Sequence, residues 1–523
     1  MLRDKWRNEA EESIFNILKH NKIHLNLKIK KMKTKLIFIL LAGNLLGLCP
    51  AMAQAPLASE EVHYANEVGG EVIVRNQNDI VLVICSKAVD GSNDHTFMVR
   101  SLATGVTQGF TCNLGTMFSQ PTDNYIIKDM RIFDRTCYFC GTKVSRVGEP
   151  LYDNQGNILD PGLTYDGFVG SFYTTGIGAG GNIEIRIIPE TDSLTKLVVH
   201  RDNPGAYKAF IMAIGSITYG VQSTCIVELE NERYYGNWRW RERIILPTGS
   251  EIPEILTDII LTDSYVEAVS KLCPESIDNE DCSHYIFRLH ETKRDGFYYM
   301  SASPNIPTEV YQYDTRDYPY GYCYCQSNEP IRLSPLKADK FCVAFGSDRY
   351  FDRRGGPTAF QMNAASTMEH AQQLGIDTFC HIREAVPINQ NQTTALLCHT
   401  SNRPNGIIRF AQWPNTTDYF AIELPGKKIF SIDEISERSV VGGFSLTNYS
   451  IGVMRQDLNG QYDGVTCFVE QDNTFLPLPL LEHTEDFCQW DCRYNRDIIW
   501  QSAPFLPRSM VPQTDCEMYN NNQ

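Results

Sequence analysis

One block of sequence recurs along the chain, and it restricts the fold more than any other feature. Asp129-Met-Arg-Ile-Phe-Asp134-Arg-Thr-Cys137-Tyr-Phe-Cys140-Gly141 aligns without gaps with Asp258-Ile-Ile-Leu-Thr-Asp263-Ser-Tyr-Val266-Glu-Ala-Val269-Ser270. It also aligns with Ser334-Pro-Leu-Lys-Ala-Asp339-Lys-Phe-Cys342-Val-Ala-Phe345-Gly346. Its second half returns as Asp79-Ile-Val-Leu-Val-Ile-Cys85-Ser86, and more weakly as 207–215, 392–398 and 438–444. The pattern predicts a β-hairpin. A strand runs into a polar turn whose Asp can hydrogen-bond its own backbone. An apolar strand then ends at a small residue, where backbones can approach closely.

A third strand-like run follows each hairpin. The seven begin at His95, Gly167, Thr224, His284, Pro357, Gly406 and Tyr449. From 95 to 449 is 354 residues over six intervals, or 59 each. A fourth strand often follows, as at Ile183–Ile188, Asp418–Glu423 and Gly464–Val469. A sheet this small cannot bury both faces alone, whereas a ring of such sheets can, leaving only short edges. The expected fold is therefore all-β: a β-propeller of about seven blades, each of three to four antiparallel strands, over residues 54–510. Residues 511–523 read as a polar tail. Two β-sandwiches are the rival architecture, but they would not need one hairpin motif spread over the whole chain.

The first residues read as an address. Lys31, Lys33 and Lys35 precede the apolar run Leu36–Leu48, which leads to Ala51-Met-Ala53. A basic flank, a short apolar core and an Ala-x-Ala end make a secretory signal peptide over 32–53. The run has 13 residues, against the roughly 20 of a membrane span. Residues 1–31 read as a misassigned start or a polar leader ahead of Met32. The expectation is a secreted or periplasmic protein with no integral span after cleavage. Cys49 raises an outer-membrane lipoprotein as the lesser alternative, because Leu48 stands where a small residue would be needed.

Of 47 basic and 63 acidic residues, ten and four lie in 1–53, leaving 37 against 59, a net of −22. Such acidity argues against nucleic-acid binding. Export makes disulfides possible, and Cys273 and Cys282 bracket a polar stretch that looks like a bridged loop. Cys488 and Cys492 are a weaker pair. Cys137 and Cys140 have redox or zinc spacing but lie in a strand pattern, where residues three apart face opposite ways. They are expected to be separate buried thiols. Cys85, Cys140 and Cys398 hold one place in different copies and are read as small buried apolar residues.

The Asp129–Gly141 hairpin and the exported acidic chain together resemble the secreted β-propeller-like proteins of Gram-negative bacteria, many without an assigned activity. The resemblance covers most of the chain after residue 53. It implies a non-cytoplasmic scaffold that binds a ligand or partner, and it carries over no catalytic residue.

Candidate binding residues come from two aromatic clusters and one turn. Tyr311, Tyr313, Tyr318 and Tyr320 lie in a Tyr-rich stretch, and Tyr suits sugar rings and protein partners. Packing between blades is the alternative. Trp238 and Trp240 share one face of a strand, with Arg239, Arg241 and Arg243 on the other. An exposed Trp pair could stack on a ligand and the Arg row could meet carboxylates; an ordinary strand with its Trp face buried is the simpler reading. Arg353, in the Gly-rich turn 352–356, could bind an anion. Met368–Gly375 reads as a short helix with no metal-binding His pair. No metal site, cofactor or serine-hydrolase elbow is apparent. The favoured function is a binding scaffold for a glycan, peptide or protein. The alternatives are a carboxylate-dependent glycan hydrolase or lyase and a surface assembly protein.

Overall fold

Each recurring block folds as the hairpin that its pattern predicts. In the computed structural model Asn124–Phe133 pairs with Thr136–Arg146, Asp258–Leu261 with Tyr265–Leu272, and Arg332–Pro335 with Phe341–Phe345. The turn between the first pair has two residues, Asp134 and Arg135, both at positive φ. Ala338 and Asp339 repeat that backbone in the third. Asp tolerates this left-handed region better than most residues. The carboxylate of Asp339 reaches a neighbouring turn instead of its own: it accepts from Thr262 Oγ1 at 3.2 Å and Ser264 Oγ at 2.8 Å.

The structure describes residues 57–519, apart from short segments and the longer stretches 273–282, 292–305, 315–330, 347–356 and 458–468. Within Ala58–Met518, a single compact body, every strand pair whose register is described is antiparallel. The described strands form seven four-stranded units. Units I to VI span 72–113, 124–188, 193–248, 258–314, 332–374 and 380–423. Unit VII is made of three strands from 428–457 and a fourth, Leu57–Ala65, from the other end of the chain. The seven third-strand runs all lie in strands, the third of their units.

Strands alternate their side chains between two faces, and each face of a unit meets a different neighbour. Cys137 and Phe139 enter a core shared by units I and II, whereas Tyr138 and Cys140 enter the core of II and III. Five further cores lie between III and IV, IV and V, V and VI, VI and VII, and VII and I. The first strands touch in the same order: Val72–Gln77, Asn124–Phe133, Ser193–Arg201, Asp258–Leu261, Arg332–Pro335, Cys380–Ile388, Lys428–Ser436, and back to Val72–Gln77. The small residue late in the second strand or just beyond it permits close approach. A Cβ on Gly215 would stand 1.9 Å from the Ser193 carbonyl oxygen, and one on Gly346 only 1.6 Å from that of Cys380.

The fourth strand expected at 464–469 lies, but for Val469, outside the described residues, and the stretch that follows departs from the expectation of a polar tail. Its described part lays a fifth strand on the outer edge of every unit. Val469–Gln471 joins unit VI, Phe475–Pro477 unit V, and His483–Ile498 units IV and III together. Gln501–Pro504 then joins unit II, Leu506–Arg508 unit I, and Pro512–Tyr519 unit VII. Pro lacks the N–H of a ladder and is tolerated on edge strands, as at Pro477, Pro504 and Pro507. Side chains reinforce the middle of this path. Arg496 grips Glu190 with two bonds of 2.7 and 2.8 Å and also reaches Glu242, which Arg186 meets at 2.8 Å from the other side.

Met368–Leu374 is a strand, not the expected helix. Its Met, Glu, Ala, Gln and Leu favour helices locally. Pairing on both sides, with Thr358–Met362 and with Phe475–Pro477, satisfies the backbone instead and overrides that preference. No helix among the described residues is long and apolar enough to cross a membrane.

Candidate functional site

The first strands bring charged residues together that lie far apart in sequence. At the centre is Arg75, 5% exposed, whose Nη2 lies 3.0 Å from Asp129 Oδ1 and 2.6 Å from Glu384 Oε1. Its remaining donors meet the carbonyls of Met130 and Val74. Asp129 also faces Arg131 at 3.2 Å and Lys196 at 3.9 Å. Burial opposes ionisation of Asp129, but Arg131, Lys196 and Arg75 outweigh it and hold the carboxyl at about 2. Glu384 is likewise lowered against its burial by Arg75 and Lys196, and by hydrogen bonds from Ile432 N–H and Ser431 Oγ at 2.8 Å.

The acids of this layer also join one unit to the next. Asp129 accepts the N–H of Leu197 at 3.2 Å, Asp258 that of Leu333 at 2.9 Å, and Asp433 that of Asn76 at 2.7 Å. Asp433 is the exception in its titration. Burial raises its carboxyl, with the Arg75 charge and the Asn76 bond opposing.

Two cavities flank the layer; all seven units line the second, and six of them, with Leu256 and Thr257 just before unit IV, line the first. They share Arg75, Lys196 and Glu384. The first, of about 340 Å³, lies where the first strands begin. It carries Arg75, Lys128, Lys196, Arg332 and Arg383 against two carboxylates, Asp129 and Glu384. The second, of about 280 Å³, lies towards the ends of those strands and is walled largely by apolar groups such as Val198, Ile260 and Val386. Its three cations (Arg75, Arg131, Lys196) balance three acids (Asp258, Glu384, Asp433).

The residues singled out from sequence lie elsewhere. Tyr311 and Tyr313 are buried in the core of units IV and V, and the Tyr313 hydroxyl donates to the Ser366 carbonyl. Burial pushes the Tyr313 phenol upward. Both are thus covered by neighbouring sheets. Trp240 packs against the core of units II and III and meets Trp500 edge to face at 5.7 Å. On the opposite face Arg243 meets carboxylates of its own sheet, Glu228 at 2.8 Å and Glu230 at 3.0 Å. His370 stacks on Trp413. The Trp238 side chain, Tyr318, Tyr320, Arg353, Cys273 and Cys282 lie outside the described residues, as do the side chains of Cys488 and Cys492 and residues 32–53, where a signal peptide is expected.

Eight described cysteines are buried. Cys85, Cys140 and Cys398 occupy three separate cores, and burial raises the thiols of Cys137 and Cys140. No disulfide joins the described residues, and no group of three or more His, Cys, Asp or Glu among them could hold a metal. The charged layer escaped the sequence reading, although Asp129 and Asp258 share one position of the repeated block. A polar side chain in the otherwise apolar first strand was the available signal. No family model and no curated protein matches the chain.

Proposed function

We propose that this chain is a seven-bladed β-propeller acting, after export, as a binding scaffold for a glycan, peptide or protein ligand. Three cyclic orders support the ring: the succession of first strands, the succession of cores, and the path of the C-terminal strands. The observation that carries the function is a single cavity lined by residues from six of the units and by Leu256 and Thr257, which lead into the remaining one, unit IV. A pocket that many elements build together is where a ligand meets several fixed polar groups at once. The aromatic stretch around Tyr318 and Tyr320 and the turn at Arg353 remain further candidates for contact. The resemblance to secreted propeller-like proteins agrees with this reading.

Hydrolysis is the second reading, favoured by the raised Asp433 carboxyl in the second cavity, since a glycosidase acid must hold its proton. Against it, Asp129 and Glu384 are lowered and engaged by guanidinium and backbone N–H groups. The test is an array of oligosaccharides and peptides probed with the purified chain, followed by an experimental structure of any complex and a product assay. A ligand in the first cavity that is released unchanged is the expected outcome. A cleaved product moves the assignment to the enzyme, and a ligand seated outside the ring overturns the channel as the site.

A further inference from the structure

Resting on the reading of the ring as a binding scaffold, we infer that the cavity at the beginnings of the first strands takes its ligand through an oxyanion: a carboxylate, sulfate or phosphate. The first argument is the charge count. Five cations face two carboxylates there, whereas the second cavity is balanced at three against three. The surplus is local, and it sits in a chain whose formal net charge is −16.

The second argument is what the cations touch. Arg75 is consumed by Asp129 and Glu384, and Arg383 by Glu71 at 2.6 Å. Three others are not neutralised in that way. Among the described residues Lys128 meets only the Ser193 hydroxyl, at 3.4 Å, and it is exposed. Lys196 stands 3.9 Å from an Asp129 oxygen that already receives Arg75 and Arg131. Arg332 spends Nε and Nη1 on the carbonyls of Arg383 and Thr257, at 2.8 and 3.2 Å. Those bonds fix the plane of its guanidinium, and among the described residues no carboxylate lies within ion-pair distance of it. A cation without a counter-charge in a partly desolvated cavity is costly, and an anion placed there would remove the cost. Desolvation lowers the proton affinity of Lys196 and Arg332, in keeping with charge that the protein itself does not compensate.

The geometry divides the labour. Arg332 is held by the backbone and offers a fixed fork, the preferred partner of planar oxyanions. Lys128 and Lys196 are flexible point charges able to follow the rest of the ligand.

The test uses the full exported chain and three probes at constant ionic strength in chloride: sulfate, phosphate and glucuronate. Calorimetry should find at least one bound with a stoichiometry of one. Lys128→Glu should weaken that binding by roughly tenfold or more, the loss of one charge-assisted contact. Lys337→Glu, in the turn where Lys337 meets Gln390, should leave affinity unchanged. Lys128 is exposed, so the thermal midpoints of both variants without ligand should equal that of the parent. Preference for glucuronate over both inorganic ions identifies a sugar acid; the reverse identifies a free ion; either supports the inference. Binding of none of the three, or equal binding by parent and Lys128→Glu, overturns it. A neutral array ligand found in the cavity and indifferent to Lys128→Glu sinks the oxyanion while leaving the scaffold standing.

Discussion

The inner and outer margins of the seven units are held in opposite ways. Where first strands meet, the joints are particular side chains: Asp129, Asp258, Glu384 and Asp433 each take a backbone N–H of the following unit. On the outer margin, the C-terminal stretch adds strands chiefly through main-chain pairing, to which almost any residue contributes, with Arg496 on Glu190 and Glu242 as a local side-chain clasp. The inner margin is therefore specific and easily broken by one substitution. The outer margin tolerates substitution but depends on the stretch as a whole. The same contrast separates function from architecture, since the charge that could meet a ligand lies inside and the covering of sheet edges lies outside.

The largest effect should come from ending the chain before Val469. Every unit then loses its fifth strand, and unpaired edges are templates for association. Size-exclusion chromatography should show aggregates or no soluble protein. A monomer of parental thermal midpoint would mean that the outer strands are ornament. Next comes the inner margin. Glu384→Ala removes the partner of buried Arg75 and the acceptor of Ile432 N–H, and should cost about 3–5 kcal/mol in chemical denaturation; a loss below about 1 kcal/mol would deny the layer its joining role.

Acid should then separate the margins further. The carboxyl of Asp129 titrates at about 2 in the folded protein, below its ordinary value of 3.8. Its contribution, on the order of 2 kcal/mol, is complete above about pH 4 and disappears as pH falls through about 2. Asp129→Asn should flatten the pH dependence of stability in that window, and an unaltered acid profile would contradict the assignment. The smallest effect is expected outside. Ile499 is 86% exposed beside the Gln501–Pro504 strand, and Ile499→Asp should move stability by no more than about 0.5 kcal/mol. A loss of several kcal/mol there would show that outer side chains matter as much as inner ones.

The hairpins and third strands were legible because their signal is local: apolar runs of strand length, bounded by turn residues and repeated. The opposite burial of Cys137 and Cys140 follows from strand alternation alone. The small residues of the second strands were legible as points of close approach, and Gly215 and Gly346 stand where a Cβ would strike a carbonyl, although the strand at Gly215 runs on to Thr218 instead of ending there. The outer strands were not legible, because Phe475–Pro477 and Leu506–Arg508 are short, contain Pro and pair with edges distant in sequence. Met368–Leu374 reads as a helix for a related reason, its neighbours in the sheet being invisible in the local composition. The tyrosines misled for a different one: Tyr311 and Tyr313 carry the chemistry of a recognition surface, but the face they occupy is covered by unit V.

The amino-acid order alone decided that this chain would form hairpins with two apolar faces, since hydrophobic alternation and turn chemistry act between near neighbours. Tertiary structure alone decided which first strands would touch, and so placed Arg75 between acids 54 and 309 residues away, at Asp129 and Glu384. Charge acts through space, and its effect on a pKa or a ligand exists only once distance and burial are set.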